Sequence, residues 1–290
     1  MDTLVNSGWA IMELPELTVL AREMSTEIVG RVFSEVDVEN PKCLNMPLDE
    51  FKNAIKGRYI RSVECRGKWL FIGLDSDRTL LFNPGMGVDI MHFERGGILP
   101  DRYHIRFGLD NGAGFTIRVW WFCYLHLMDS PRLGDHKLTA CLGRSPLEKE
   151  FTLGYFKELL AGRGGNIKSF MLDQKNIAGI GNVYIQDILF NARLHPKRQI
   201  SSITSEEREA LFRSMVDILN RSIELGGLAY ERDFYGNKGG YGHEQFKIAY
   251  KSGEHCPNCD EIIQKIKTGS TSSFICPNCQ PLDSQKPART

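Results

Sequence analysis

Four cysteines near the end of the sequence have the type and spacing of a metal site. They form two Cys-Pro-Asn-Cys motifs separated by sixteen residues, at Cys256, Cys259, Cys276 and Cys279. This spacing is typical of a four-cysteine zinc site, in which each tight turn presents two thiolates to one tetrahedral ion. Because four cysteine ligands leave no open coordination position, we expect one zinc ion that stabilises structure and takes no part in a reaction. The alternatives are two redox pairs or disulfides.

The other four cysteines occur singly in apolar surroundings. We interpret them as small buried hydrophobic residues in a reducing compartment. They are Cys43, Cys65, Cys123 and Cys141.

A glycine-containing segment in the middle of the chain has the features of a phosphate-binding loop. Residues 178–182 are Ala-Gly-Ile-Gly-Asn and directly precede a predicted helix. Backbone N–H groups and the positive end of a helix dipole can therefore face a phosphate, and Asn182 can add a side-chain donor. The alternative is a tight turn between helices in which Asn182 is only the N-cap.

Four further candidates also have ordinary structural interpretations. Lys68 follows a glycine at a strand start, where a lysine is usually only solvated. Met86 lies between two glycines. It is either a side chain that fills the core or an apolar wedge that enters the gap left by a flipped base. Glu13 and Glu16 form a carboxylate pair, and a helix N-terminus alone accounts for Glu16.

The elements that must position these residues change character along the chain. A helix at Leu17–Val29 is followed by regularly spaced alternating segments, which predict a β-sandwich or barrel. The predicted strands are Val32–Val38, Tyr59–Cys65, Trp69–Leu74, Thr79–Phe82, His104–Leu109 and Phe115–Val119. The apolar stretch Val119–Leu125 is interpreted as a buried strand rather than a membrane segment.

The second half of the chain has helical periodicity and ends in a hairpin. Helices are predicted at Thr152–Ala161, Asn182–Asn191 and Ser205–Leu225, and hairpin strands at Ile262–Lys267 and Ser272–Ile275. The fold class is therefore α+β with several domains. The expected divisions are an N-terminal extension (1–11), a β-sandwich domain with flanking helices (12–130), a linker (131–145), a helical domain (146–232), a zinc hairpin (233–281) and a disordered tail (282–290).

Composition excludes some classes of protein. The 290 residues are 42% hydrophobic and 25% charged, near the globular average, which argues against wholesale disorder and a membrane-embedded bundle. Basic and acidic residues number 36 each, which argues weakly against a nucleic-acid partner. However, residues 157–198 contain seven basic and three acidic residues, so the neutral total conceals a positive region. No signal peptide is visible, so we expect a cytoplasmic protein.

Several short motifs, in consistent order, resemble the formamidopyrimidine-DNA glycosylase and endonuclease VIII (Fpg/Nei) family. The matching segments are Met12–Leu17, Arg66–Leu70, Gly85–Gly87, Leu142–Leu147, Ile167–Gln174, Ile177–Tyr184, Leu194–Pro196 and the four-cysteine hairpin that closes on Gln280. Residues 178–184 and the zinc spacing are the most specific parts. The resemblance implies a helix-two-turn-helix arrangement for the helical domain and a zinc-ribbon-like hairpin after it.

The resemblance also implies a reaction on DNA. Glu13 would help to protonate the deoxyribose ring and shuttle protons while an N-terminal amine attacks C1′ to give a Schiff base, after which the base leaves and elimination nicks the strand. An α-amino group suits this step because its pKa, about 7.7–8.0, leaves it substantially neutral at physiological pH. Lys68 would support the abasic sugar. The implied DNA-binding residues are Met86, Arg102, Trp121, Phe122, Lys168, Asn182 and Thr271.

The sequence departs from the family pattern at three places. Met12, with eleven residues before it, stands where the family has its nucleophilic proline, so only a chain begun at Met12 has a free amine there. Residues 120–122, Trp-Trp-Phe, replace an arginine pair and a phenylalanine, and tryptophan can stack on bases but cannot donate two hydrogen bonds to an orphaned one. Thr271 replaces a phosphate-binding arginine and keeps a hydroxyl without the charge.

The leading hypothesis is a base-excision repair DNA glycosylase with abasic-site lyase activity that flips damaged bases out of DNA. The alternative is a catalytically reduced or inactive protein of the same fold that binds damaged DNA. A zinc-stabilised protein-interaction module is a third interpretation, but it leaves the phosphate-type loop and Lys68 unexplained. We expect a monomer, associated with the nucleoid in the cytoplasm, whose partner is double-stranded DNA with a damaged base or abasic site.

Overall fold

The chain folds into two units. A computed structural model describes residues 12–75 and 77–282, so the predicted extension 1–11 and all but the first residue of the predicted tail lie outside the described residues. Among the described residues, the first unit contains those up to Cys141 together with Ser222–Gly240. The second contains Leu142–Arg221 and the residues from Tyr241 onward.

Helix α1 opens the first unit at Leu14–Ile28. It begins three residues before the predicted start because a capping box fixes its first turn, with Glu13 as N-cap and Glu16 as the reciprocal partner. A proline in the first turn is tolerated because the N–H it lacks would have no partner in the helix. The face toward the core is apolar, with Leu17, Leu20, Met24 and Ile28 all buried.

Six antiparallel strands form the sheet of this unit. They are β1 (Phe33–Val38), β2 (Ile60–Arg66), β3 (Trp69–Leu74), β4 (Arg78–Phe93), β5 (Ile105–Leu109) and β6 (Gly114–Asp129). The predicted bounds of β4 and β6 were too short, since the strands have 16 residues each. Pro84, Gly85 and Gly87 interrupt the alternation in β4, and the register absorbs the interruption in irregularities between Asn83 and Val88.

The sheet closes around one hydrophobic core. Its strand order is β1-β5-β6-β4-β3-β2, and a bridge between Val32 and Tyr59 joins the two ends of that order. Rings from different strands stack inside, with the centroids of Phe107 and Phe115 4.8 Å apart. A short helix, α2 (Leu48–Ile55), was not predicted because its two turns offer too little periodicity.

The segment Ser222–Gly240 completes this core although it is remote in sequence. Phe234 is fully buried and its ring lies 5.9 Å from that of Phe115. Its backbone N–H donates to Glu23 Oε2 at 2.9 Å. The predicted division between a helical domain and a hairpin at residue 232 therefore falls inside a segment that packs against the sheet.

The second unit contains helices and the hairpin. Its helices are α3 (Leu153–Leu160), α4 (Ile167–Leu172), α5 (Tyr184–Asn191) and α6 (Ser205–Glu224), whose last residues belong to the first unit, and its strands are β7 (Gln264–Thr268) and β8 (Thr271–Ile275). Thr152 and Asn166 cap α3 and α4 through their side-chain oxygens. Buried Asp187 accepts the N–H groups of residues 247–249, which fixes the chain before the hairpin against α5.

The predicted α+β fold, with an N-terminal sheet domain, a helical region and a four-cysteine hairpin, is confirmed. In the described part of the chain, no helix has the length and apolar character needed to cross a membrane.

Candidate nucleic-acid interface and zinc centre

Lys68 lies in a two-residue turn between β2 and β3. The turn is possible because Gly67 adopts a φ of +58°. Asn83 Nδ2 donates to the Lys68 carbonyl at 2.7 Å, and Asn83 Oδ1 accepts the Gly85 N–H at 2.9 Å. Asn83, which sequence reasoning missed, therefore ties the lysine turn to the glycine-flanked loop of Met86.

Met86 lies opposite Phe122 at the irregular part of the β4–β6 pairing. The glycines on either side of it have φ values of +58° and +68°. A Cβ at Gly85 would lie 2.0 Å from the Phe122 carbonyl oxygen, and one at Gly87 would lie 3.0 Å from the Trp120 side chain. Only glycine allows β4 to approach this part of β6 so closely, and the approach fixes Met86 beside the aromatic segment.

Three consecutive aromatic side chains on β6 face solvent. The exposed fractions of Trp120, Trp121 and Phe122 are 50%, 68% and 40%. The Arg118 guanidinium lies 3.8 Å from the centroid of the Trp120 ring, in cation–π geometry. Arg102, a further predicted DNA-binding residue, is exposed in the segment between β4 and β5.

The predicted catalytic residue Glu13 is buried at the N-terminus of α1. Met12 and Glu13 are each only 2% exposed. The Glu13 N–H donates to Glu16 Oε2 at 2.9 Å, and Glu16 Oε1 accepts the Leu228 N–H at 3.1 Å. Glu13 thus lies at the positive end of the helix dipole, which favours a carboxylate there.

A carboxyl group that the sequence did not single out lies in the same environment. Burial and the neighbouring Glu16 and Asp89 carboxylates raise the pKa of Glu231 to about 8. A perturbed carboxyl near the predicted catalytic residue is a feature of functional sites. No sequence signal could have found it, because Glu231 and Glu16 are far apart in the chain.

Lys168, in the second unit, has its ammonium group beneath the hairpin. Its Nζ donates to Thr271 Oγ1 at 3.0 Å, to the Ser272 carbonyl at 2.6 Å and to Ser273 Oγ at 2.9 Å. The residue is 1% exposed, and its burial lowers the pKa of the amine to about 8. All three ammonium donors are thus used by the hairpin, one of them by Thr271.

Gln186 connects Asn182 to the same part of the hairpin. Its Nε2 donates to Asn182 Oδ1 at 3.1 Å and to the Ser272 carbonyl at 3.3 Å, while its Oε1 accepts the Phe274 N–H at 3.1 Å. Three residues predicted to bind DNA from separate motifs, at positions 168, 182 and 271, therefore join one hydrogen-bonded network. Gln186 was missed, although it lies one helical turn after Asn182.

The four predicted metal-binding cysteines come together. Their sulfur atoms all lie within 4.8 Å of one another, with Cys256–Cys279 and Cys259–Cys276 separations of 3.8 and 3.4 Å. Tetrahedral zinc with Zn–S bonds of about 2.3 Å requires sulfurs about 3.8 Å apart. Backbone N–H groups of Asn258 and Cys279 lie 3.4 Å from the first sulfur of each motif. The donor set fits one structural zinc ion.

Profiles of three known domain families match the chain in order. A formamidopyrimidine-DNA glycosylase N-terminal domain matches residues 11–118, and its H2TH domain matches 142–232. A zinc finger found in FPG and IleRS matches 253–282. The chain is similar to the formamidopyrimidine-DNA glycosylase of Chloroflexus aurantiacus, with 34% identity over 92% of this chain and 97% of that protein. That of Streptococcus pneumoniae is 30% identical over 93% and 99%.

Solved structures agree with the sequence relatives. A Lactococcus lactis FPG in complex with Fapy-dG-containing DNA has a TM-score of 0.83 and 26% identity, covering 93% of this chain and all of that one. A complex of Lactococcus lactis Fpg with DNA that contains an abasic site has the same score and identity, covering 92% and 99%.

Loss of one metal-binding cysteine should abolish zinc binding and unfold the hairpin. We expect Cys276→Ser to bind less than a tenth of the wild-type zinc, because structural zinc contributes on the order of 10 kcal/mol of binding free energy. Metal content by mass spectrometry and the protease sensitivity of the hairpin measure both effects. Cys141→Ser, which removes an exposed thiol outside the cluster, is the matched control and should keep the metal. A fully loaded Cys276→Ser protein would contradict the assignment.

Replacing Glu231 with glutamine should flatten the pH dependence of stability. Its folded-state pKa of about 8 lies above the ordinary 4.5, so the folded protein binds more protons between these values. Glu231 therefore contributes its largest stabilisation of the folded state below about pH 4.5. This contribution to the free energy of unfolding decreases by roughly 2–4 kcal/mol as the pH rises toward 8. Urea unfolding at pH 5.5 and 8.5 measures the slope. Glu244→Gln, at an exposed glutamate, should keep the wild-type slope, and parallel slopes for Glu231→Gln would refute the assignment.

Proposed function

The chain belongs to the formamidopyrimidine-DNA glycosylase family, and from this premise we propose how its own residues carry out the reaction. It is a base-excision repair DNA glycosylase with abasic-site lyase activity, and its partner is DNA that contains a damaged base or an abasic site. The observation that carries this conclusion is the ordered match of sheet domain, H2TH domain and zinc finger along one chain.

Glu13 is the proposed proton shuttle for an amine at Met12. The amine lone pair forms a bond to C1′ of the deoxyribose, and the bond from C1′ to the base breaks, with its electrons leaving on the base. The Glu13 carboxylate takes one proton from the bound amine, the nitrogen lone pair then forms the C1′=N bond of the Schiff base as the bond from C1′ to O4′ breaks, and the carboxyl of Glu13 passes that proton to O4′. The departing base takes its proton from water. Burial of Glu13 in the capping box supports this role because a fixed carboxyl is already oriented for proton transfer.

Lys68, Met86 and the aromatic segment are proposed to hold the DNA around the reacting sugar. The Asn83 bridge supports this grouping because it couples the turn of Lys68 to the loop of Met86. Met86, with Trp121 or Phe122, would fill the space that the flipped base leaves. Arg102 would add a positive charge near the DNA backbone from the segment between β4 and β5.

Thr271 and Asn182 are the proposed phosphate contacts of the second unit. Lys168 supports this proposal because its ammonium lies 3.0 Å behind the Thr271 hydroxyl and supplies charge that threonine lacks. The Thr271 hydroxyl donates to the Thr268 carbonyl at 3.3 Å and would turn to a phosphate oxygen on DNA binding, where the positive charge behind it strengthens the new hydrogen bond. The bound zinc holds the hairpin that presents Thr271.

Domain roles, location and oligomeric state complete the proposal. We propose that residues 131–145 act as the linker and that residues 146–232 and 233–281 act as the helical domain and the zinc hairpin in DNA binding. A cytoplasmic, nucleoid-associated location follows from the DNA partner, and a monomer suffices because both sets of proposed contacts come from one chain.

Borohydride trapping on an oligonucleotide with one abasic site tests the chemistry. We expect protein begun at Met12 to form a covalent adduct and protein begun at Met1 to form none, because only the first has an amine at Met12. Glu13→Gln in the Met12 form should slow trapping by about a hundredfold or more. Adducts from both forms would show that the nucleophile is an internal lysine, and Lys68→Ala would then be the next variant to test. Tight binding without an adduct from either form would overturn catalysis and leave a damaged-DNA-binding protein.

An added charge at Thr271 should strengthen DNA binding measurably. Thr271→Arg should steepen the slope of log affinity against log salt by about 0.9, the value for one more phosphate contact. Fluorescence anisotropy with an abasic-site duplex between 50 and 200 mM salt measures the slope. Thr271→Gln is the uncharged control and should leave the slope unchanged. If arginine and glutamine give the same slope, Thr271 does not face a phosphate.

A further inference from the structure

The aromatic segment at residues 120–122 is larger than the filling of one vacated base position requires. Its three side chains are 40–68% exposed and adjacent in sequence, and they lie on a strand whose flanking residues build the core. Side chains on a regular strand alternate between two faces, but the β4–β6 register shifts between the pairs Val88–Val119 and Met86–Phe122, so Trp120 and Trp121 lie in an irregular stretch. Exposed aromatic residues at consecutive positions of a folded domain mark a binding site more often than an accident of packing.

The neighbouring charge indicates what binds there. Arg118 places its guanidinium 3.8 Å from the Trp120 ring centroid, so the planar cation covers one face of this ring and offers its own flat outer face for stacking. This is the combination used for single-stranded nucleic acids, whose bases stack on aromatic rings while the backbone phosphates meet positive charge. The close approach that Gly87 permits holds Trp120 in place, so that little ordering is needed when a base arrives.

Tryptophan recognises bases by their faces and not by their edges. An indole has one N–H donor and no acceptor, whereas identification of a particular base needs paired hydrogen bonds to its edge. Any base can stack on an indole once it is unstacked and unpaired. In a duplex, unstacking and unpairing cost a few kcal/mol per base. An aromatic surface here therefore favours DNA whose bases are already unpaired.

We propose that Trp120 and Trp121, together with Arg118, form a stacking platform for unpaired bases, so that the preferred substrate is damaged DNA in single-stranded or locally unpaired form, processed with little regard to the base opposite. This inference deepens the proposed function and names the substrate class of the same site. It rests on that function for the lesion chemistry, while the binding of unpaired bases stands by itself.

Tryptophan fluorescence tests the platform without any catalysis. The chain has four tryptophans, so Trp9→Phe with Trp69→Phe leaves only Trp120 and Trp121 as indole fluorophores. Titration with an undamaged twelve-nucleotide single strand should quench this fluorescence, because stacked bases quench indoles. The matching duplex should require about a tenfold higher concentration for the same quenching. Equal quenching by strand and duplex, or none by either, would overturn the proposal.

Substitutions separate stacking from general charge attraction. In the otherwise unchanged protein, Trp120→Ala and Trp121→Ala should each weaken single-strand affinity about tenfold, the range measured for the loss of one stacked base. Tyr235→Ala removes another exposed aromatic ring of the same unit and is the control that should bind normally. If all three variants bind as the wild type does, the aromatic segment serves another partner, such as a protein.

A cleavage assay tests the substrate class and distinguishes the two proposals. An abasic site opposite each of the four bases should be cut at rates within about threefold of one another, and the same site in a bubble should be cut faster than in a duplex. A preference of tenfold or more for one opposite base would overturn the platform even where trapping succeeds. Quenching by single strands with no trapping would overturn the glycosylase chemistry and keep the platform.

Discussion

The first unit depends on one buried carboxylate at the start of α1. Glu16 accepts the N–H of Glu13 with one oxygen and the N–H of Leu228 with the other, so a single side chain closes its own helix and anchors a segment more than two hundred residues later. Gly227 is required beside it, since a Cβ there would lie 3.2 Å from the carboxylate and its φ is +87°. Satisfied hydrogen bonds make this burial tolerable. The same contacts set the environment of Glu231, because a charged neighbour in a buried place disfavours a second charge.

The second unit also contains a buried charged group, which is the ammonium of Lys168. Lys168 is buried, and its hydrogen-bond partners within residues 12–75 and 77–282 are two hydroxyls and a carbonyl of the hairpin rather than a carboxylate. Burial disfavours the charged form and lowers the pKa of this amine, because neutral acceptors compensate a charge less completely than an ion pair does. The arrangement leaves positive potential at the hairpin surface, whereas a partner carboxylate would cancel it. Hydrogen bonds and zinc ligation therefore fix the hairpin from opposite ends.

The parts that sequence reasoning predicted well are those whose signal is local. Ligand spacing predicted the zinc cluster, and caps such as Thr152 predicted helix ends to within a few residues. The full length of β4 was missed because its glycines, which break the local pattern, are needed for close approach to β6. The full length of β6 was missed because three consecutive exposed aromatic residues interrupt its alternation. Asn83 and Gln186 were missed because their importance lies in contacts that only the folded chain creates. Catalytic and phosphate roles came from family resemblance, since no spacing rule identifies a lone glutamate or lysine.

The departures from the family pattern at residues 120–122 and at Thr271 leave the support of the site intact and change side chains that are proposed to touch DNA. Asn83 still couples the turn to the loop, and the glycines still hold β4 against β6, so the aromatic side chains stand on a rigid base. A rigid base transmits a change of side chain directly into a change of recognition, because no rearrangement absorbs it. Exchange of hydrogen-bond donors for indole rings removes edge recognition and adds stacking area in the same place. The proposed proton shuttle, Glu13, lies outside the aromatic segment, whereas the proposed amine at Met12 is itself a departure from the family's proline. A change of recognition at residues 120–122 therefore leaves Glu13 untouched.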